Sequence, residues 1–141
     1  QWERLCADPS LAANAVEEGM RYAGAVIGWR RIAMQDVTFR GVTIPKGAPI
    51  MLSLASANRD EEVFEDPQRF DIGRKNARRQ LTFGNGVHFC LGAPLARLEM
   101  KIVLEEFAKR YPKMRLREPD AAKHMHTFVF RAPEALPVVL Q

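Results

Sequence analysis

Phe83-Gly84-Asn85-Gly86-Val87-His88-Phe89-Cys90-Leu91-Gly92 is the stretch on which the reading of this chain turns. Its glycines let a loop bend tightly and bring backbone N–H groups towards one side chain. Ala93-Pro94 follows at once, and proline suits the first turn of a helix. The positive end of that helix would face Cys90 and favour an ionised sulfur. A free cysteine is usually a small buried hydrophobe. The whole loop argues otherwise: Phe83 offers an aromatic shield, Gly86 a turn, and Gly92 a residue small enough for close approach. These are the demands of a thiolate ligand.

Downstream, Leu95, Leu98, Ile102, Val103 and Phe107 recur at helical spacing, which predicts a helix from about Ala93 to Tyr111 with Pro112 as its stop. The tail, 113–141, reads as short strands at Met114–Leu116, Thr127–Phe130 and Val138–Leu140. Upstream, residues 60–82 carry many charges and little periodicity. They form a long meander, and loops of that length in compact domains are usually functional. Before it, 31–59 reads as hairpins: Ile32, Met34, Val37 and Phe39 lead to an Arg40-Gly41 turn, Val42–Ile44 returns, and Pro45-Lys46-Gly47 turns into an apolar strand from Pro49 to Leu54. Ala55–Arg59 suits a short helix. At the start, Asp8-Pro9-Ser10 opens a helix whose stripe of Leu11, Ala12, Ala15, Val16 and Met20 runs through about Tyr22, within a first region 1–22. Helices and hairpins are segregated, so the class is α+β.

The chain has 141 residues, 47% of them hydrophobic, about one domain's worth. Lys and Arg total 21 against 17 for Asp and Glu, a net charge of +4 that is too small to argue nucleic-acid binding. No run of eighteen apolar residues exists, so no membrane span is expected. The two cysteines, Cys6 and Cys90, make no C-x-x-C pair, which argues against zinc ribbons, thioredoxin-like motifs and c-type haem attachment. Reduced thiols and a cytoplasmic location are the expectation. His124 and His126 lack a third ligand nearby and read as an exposed strand end.

Phe83 through Glu99, Phe-Gly-Asn-Gly-Val-His-Phe-Cys-Leu-Gly-Ala-Pro-Leu-Ala-Arg-Leu-Glu, resembles the haem-binding signature of cytochrome P450 enzymes, particularly the soluble bacterial ones. Glu18-Gly19-Met20-Arg21 resembles that family's Glu-x-x-Arg helix. Asn58-Arg59-Asp60 with Asp66-Pro67-Gln68-Arg69-Phe70-Asp71 resembles its meander. Order and spacing agree across all three motifs.

The resemblance implies that 1–141 is the C-terminal portion of a single, mainly helical P450 domain. A complementary N-terminal portion would carry the distal oxygen-activation residues. It implies haem b as cofactor with Cys90 as axial ligand to the iron. His88 is a histidine and so an alternative ligand in principle, but two side chains so close in a tight loop could hardly both reach one axial position. Arg31 and His88 are implied as donors to the haem propionates, and Glu18, Arg21 and Arg69 as a structural triad locking the meander. Ala23, Gly24, Ala25, Val26 and Ile27, with Thr127, Phe128 and Val129, are implied substrate contacts, although Ala25 stands where the family often has proline. A basic face of Arg74, Lys75, Arg78, Arg79, Arg97 and Lys101 would receive an acidic ferredoxin or flavoprotein electron donor. The implied function is a haem-thiolate monooxygenase that hydroxylates or oxidatively dealkylates a small organic substrate with O2. The alternative is a haem-binding or interaction fragment without turnover, its apolar surface favouring association.

Overall fold

A computed structural model describes residues 1–118, 123–125 and 127–140. Two helices supply the frame. Asp8 accepts hydrogen bonds from the Ser10 backbone (3.1 Å) and hydroxyl (2.6 Å). This cap, with Pro9 in the first turn, ends α1 (Trp2–Ala7) and launches a 3-10 turn, Pro9–Leu11, and then α2 (Ala12–Ala23). The long helix α4 (Ala93–Arg110) packs across α2. Leu5, Ala12, Ala15, Ile72 and Ala108 form a buried cluster between them, flanked by Trp2, Leu11, Phe70 and Leu104. The small residues let the helix backbones approach closely.

The apolar stripe expected to bury α4 faces the other way. Leu95, Leu98, Ile102, Val103 and Phe107 are exposed, while Ala93 and Ala108 are buried and Leu104 packs on the core. Between Ala93 and Ala108 the helix turns Arg97, Met100 and Leu104 toward α2, and Leu95, Leu98, Ile102 and Phe107 outward.

Among the described residues the strands make three two-stranded sheets. The first, β1 (Gly28–Ile32), begins earlier than the apolar pattern suggested and pairs antiparallel with β4 (Pro49–Ser53), Gly28 opposite Ser53 and Ile32 opposite Pro49. Between them β2 (Val37–Phe39) and β3 (Val42–Ile44) form the expected hairpin, turning at Arg40-Gly41 with both φ values positive. A short helix, α3 (Leu54–Ala57), is capped by the Ser53 hydroxyl. The segment after it makes turns and one 3-10 turn at Ala77–Arg79. In the tail, β5 (Arg115–Leu116) pairs with β6 (Val138–Val139). The strand expected at Thr127–Phe130 is instead a tight turn. The Thr127 hydroxyl accepts from the Phe130 N–H at 2.8 Å and donates to its carbonyl at 2.7 Å, leaving one isolated bridge, Val26 with Phe130. Among the described residues no helix is long and apolar enough to cross a membrane.

Candidate haem-thiolate site

The site rests on α2. Glu18 and Arg21 lie one turn apart, share a face, and are both fully buried. Arg21 Nε and Nη2 donate to the two Glu18 carboxylate oxygens at 2.7 and 2.9 Å, a fork-on-fork pair. The rest of the guanidinium binds the carbonyls of Asn58, Pro67 and Arg69 at 2.9, 2.9 and 3.0 Å. One buried cation thus gathers the meander by its backbone. Burial alone would raise the Glu18 carboxyl's pKa. Hydrogen bonds from Arg21, the Asp71 N–H and Arg74 outweigh it and hold the carboxyl below the usual glutamate range.

The second guanidinium on Glu18 belongs to Arg74, not to Arg69. Arg74 Nε lies 3.2 Å from the carboxylate with a side chain 9% exposed. Arg69 is 64% exposed, reaches only Asp71 at 4.0 Å, and contributes its carbonyl oxygen. After the Asp66 turn the chain points the Arg69 side chain to solvent, and Arg74 enters the space left beneath it. Arg74 also binds the carbonyls of Glu65, Asp66 and Arg69. Nothing in its spacing signalled this role.

The cysteine loop is fastened at its base. Asn58 donates from Nδ2 to the Thr82 hydroxyl (2.9 Å) and accepts the Leu81 N–H (2.7 Å), while Thr82 donates to the Met20 carbonyl at the end of α2 (2.7 Å). Buried Asn58 is a site residue that its motif announced only as part of the meander. Gly84 and Gly86 take φ values of +76° and +73°, the left-handed region where glycine is favoured, and the Asn85 side chain caps the Gly86 N–H. A 3-10 turn, Gly86–His88, then returns the chain so that the Cys90 N–H donates to the Phe83 carbonyl at 2.9 Å. Phe83 is buried and its ring lies 6.5 Å from that of Phe89. Cys90 itself is exposed, directly before α4, with its carbonyl accepting the Ala93 N–H.

Protein atoms alone do not crowd Gly92. A Cβ there would meet Cys90 Sγ at 3.8 Å, an ordinary contact, at an unstrained φ of −79°. The close approach that calls for glycine is at Gly24. A Cβ there would fall 2.5 Å from both the Met20 carbonyl oxygen and the Thr82 hydroxyl.

A cleft of about 560 Å³ opens beside the loop, lined by Cys90, His88, Phe83, Arg31, Trp29 and Val26, among others. Three candidates from distant parts of the chain therefore meet: Arg31 on β1, with His88 and Cys90 on the loop. Of the expected substrate segments, Ala25 and Val26 line this cleft. The second segment lies alongside the first: the Ile27 N–H binds the Val129 carbonyl (2.8 Å) and the Arg131 N–H the Ala25 carbonyl (2.7 Å). Phe128 points into solvent, and Trp29, which carried no motif, stacks edge-on against Phe130. His126 lies outside the described residues, and His124 is exposed beside Pro133.

The expected basic face is thinner than its residue count. Arg74 is buried in the Glu18 cluster, Arg97 pairs with Glu17 at 2.7 Å, and Lys101 pairs with Glu105 at 2.9 Å. Lys75, Arg78 and Arg79 remain exposed.

A sequence model of cytochrome P450 matches residues 8–136. The chain belongs to the cytochrome P450 family. It is similar to a mycinamicin IV hydroxylase/epoxidase of Micromonospora griseorubida, 43% identical over 93% of this chain and 34% of that protein. The solved P450 heme domain of Tepidiphilus thermophilus superposes with a TM-score of 0.91 at 50% identity, over 97% of this chain and 33% of that one. An intact self-sufficient P450 monooxygenase superposes at 0.93 with 45% identity, over 97% of this chain and 18% of that one. The chain thus spans about a third of the length of the curated relatives it matches, and its α+β architecture is a C-terminal portion of the P450 fold. The family binds haem b, and the cleft fits that group by its chemistry. It offers one thiol, two nitrogen-bearing side chains suited to carboxylates, and walls of Trp29, Met20 and Val26.

Proposed function

We propose that this chain is the proximal haem-binding part of a monooxygenase, with Cys90 Sγ as axial ligand. The observation that carries the reading is the meeting of Cys90, His88 and Arg31 on one largely apolar cleft. Arg31 and His88 would hold the two propionates through charge-assisted hydrogen bonds. Phe83 would cover the sulfur, and the Glu18–Arg21–Arg74 cluster keeps the meander beneath it. Haem b supplies the dioxygen chemistry when bound, and a thiolate ligand favours it by pushing electron density to iron.

In the whole protein the reaction would be hydroxylation or oxidative dealkylation of a small organic molecule, with Ala25, Val26 and the 127–129 turn bordering the substrate. Electrons would come from a ferredoxin or flavoprotein received on Lys75, Arg78 and Arg79. A cytoplasmic location and a single domain completed by an N-terminal portion belong to the same proposal. The exposed row of Leu95, Leu98, Ile102, Val103 and Phe107 favours the second reading, a haem-binding piece that associates with a complementary piece and does not turn over alone.

The test is to load the purified chain with haem, reduce it, add carbon monoxide, and record its spectrum beside that of Cys90→Ser. A strongly red-shifted Soret band that vanishes in the variant supports thiolate ligation. A haem band without the shift overturns it. No haem uptake overturns the independent-fragment reading.

A further inference from the structure

Next to Glu18, which serves the meander, stands a second buried carboxylate, Glu17. It faces the cysteine loop. Its Oε1 receives Arg97 Nε at 2.7 Å, and its Oε2 receives Arg97 Nη2 at 3.3 Å and Gln80 Nε2 at 3.1 Å. Each partner reaches the loop from a different side. Gln80 passes the hold on through its carbonyl oxygen, which accepts the Thr82 N–H at 2.7 Å, in the stem entering the loop. Arg97 comes from α4, the element leaving the loop, and its guanidinium lies over the Phe83 ring at 4.6 Å. Phe83 in turn accepts the Cys90 N–H. Arg78, 83% exposed, approaches Glu17 from solvent at 3.7 Å. Two stems that part at Thr82 and rejoin at Ala93 are therefore tied to one carboxylate on α2.

We propose that Glu17 and Arg97 are positioning residues for Cys90. They clamp both stems of its loop and set a fixed cation over the ring of Phe83, the residue whose carbonyl accepts the Cys90 N–H. The charge part rests on the reading of Cys90 as haem ligand; the clamp part does not. A guanidinium on a ring face is held by the ring quadrupole as well as by its ion pair, so its position is defined from two directions. Lysine keeps the charge and loses the fork.

Two measurements on Glu17→Gln, Arg97→Gln and Arg97→Lys test it. The first is amide hydrogen exchange at Cys90 in the haem-free chain, with Leu104 in α4 as the internal control for folding. Expected is exchange at Cys90 about tenfold or more faster in both glutamine variants, a smaller acceleration in Arg97→Lys, which keeps the charge without the fork, and no change at Leu104. Unchanged exchange at Cys90 overturns the clamp, and equal acceleration at Leu104 assigns the pair to general stability and overturns it too.

The second is the iron reduction potential of the haem-loaded protein. Removing the cation lowers the potential and removing the carboxylate raises it, while Arg97→Lys leaves it in place. A packing role alone would move both glutamine variants the same way, and that result overturns the charge part. Failure of the wild-type chain to take up haem would count against the haem reading alone, because the exchange measurement still decides the clamp.

Discussion

Glu17 and Glu18 are neighbours on one helix, both buried, and both bound by arginine, yet they do different work. Glu18 sits where every partner is fixed: Arg21 is wholly buried, Arg74 nearly so, and the remaining donor is the Asp71 backbone N–H. Glu17 sits at a margin. Arg97 is 28% exposed and Arg78 lies mostly in solvent. A helix advances about 100° per residue, so adjacent carboxylates can serve different faces, one the meander and the other the loop. What differs is how much water can replace a lost partner. The inner cluster is a foundation whose removal leaves charges stranded; the outer one is a brace whose removal lets a loop move.

The sharpest break is Glu18→Gln, which strands Arg21 and Arg74 beside a neutral amide. Breaking a buried pair costs about 3–5 kcal/mol, so denaturant unfolding should show that loss, and substantially less for Glu17→Gln. Equal losses would erase the distinction between foundation and brace.

Arg74→Ala and Arg69→Ala form the next comparison. The first removes charge-assisted bonds to Glu18 and three carbonyls, at about 2–3 kcal/mol. The second trims a side chain in water and should stay within about 0.5 kcal/mol. The reverse ranking would return the triad to Arg69.

Acid perturbs the same carboxylate more gently. Folding holds Glu18 below the ordinary glutamate value. Its stabilising contribution is therefore complete above that value and is lost as pH falls through the lower folded one. Unfolding free energy measured from pH 6 downward should fall through this range, with a flatter acid limb in Glu18→Gln. Asp71, held low by the Gly73 N–H and by Arg4, adds to the wild-type slope in the same sense. An acid limb equally steep in Glu18→Gln would move the effect elsewhere. The smallest change is expected of Arg40→Ala, whose pair with Glu62 is almost fully exposed and contributes about 0–1 kcal/mol.

Much of this was legible in the residues. The cysteine loop declared itself through its glycines and the helix that follows; the spacing of Glu18 and Arg21 said only that they could pair, and their locking role came from the family resemblance. The Arg40-Gly41 hairpin followed from alternation and a turn dipeptide. Three things were not legible, each for its own reason. Arg74 and Arg69 are both arginines in one meander, and which of them turns inward depends on backbone geometry at Asp66. The bulky row of α4 carries the period of a buried face, but the pattern cannot say that α2 takes the row through Arg97, Met100 and Leu104 instead. Glu17 and Arg97 stand 80 positions apart, and no local period links a helix charge to its partner across such a distance.

Gly24 marks where freedom to vary the chain ends. On one side stand the Met20 carbonyl and the Thr82 hydroxyl, both within 2.5 Å of where a side chain would begin; on the other run Ala25 and Val26, bordering the cleft. A designer reshaping the cleft wall could exchange Ala25 and Val26 broadly. Any such library should stop one residue short, because the first atom added at Gly24 would pry the end of α2 from the stem of the cysteine loop. The boundary between a tunable wall and fixed machinery is, in this chain, a single missing methyl group.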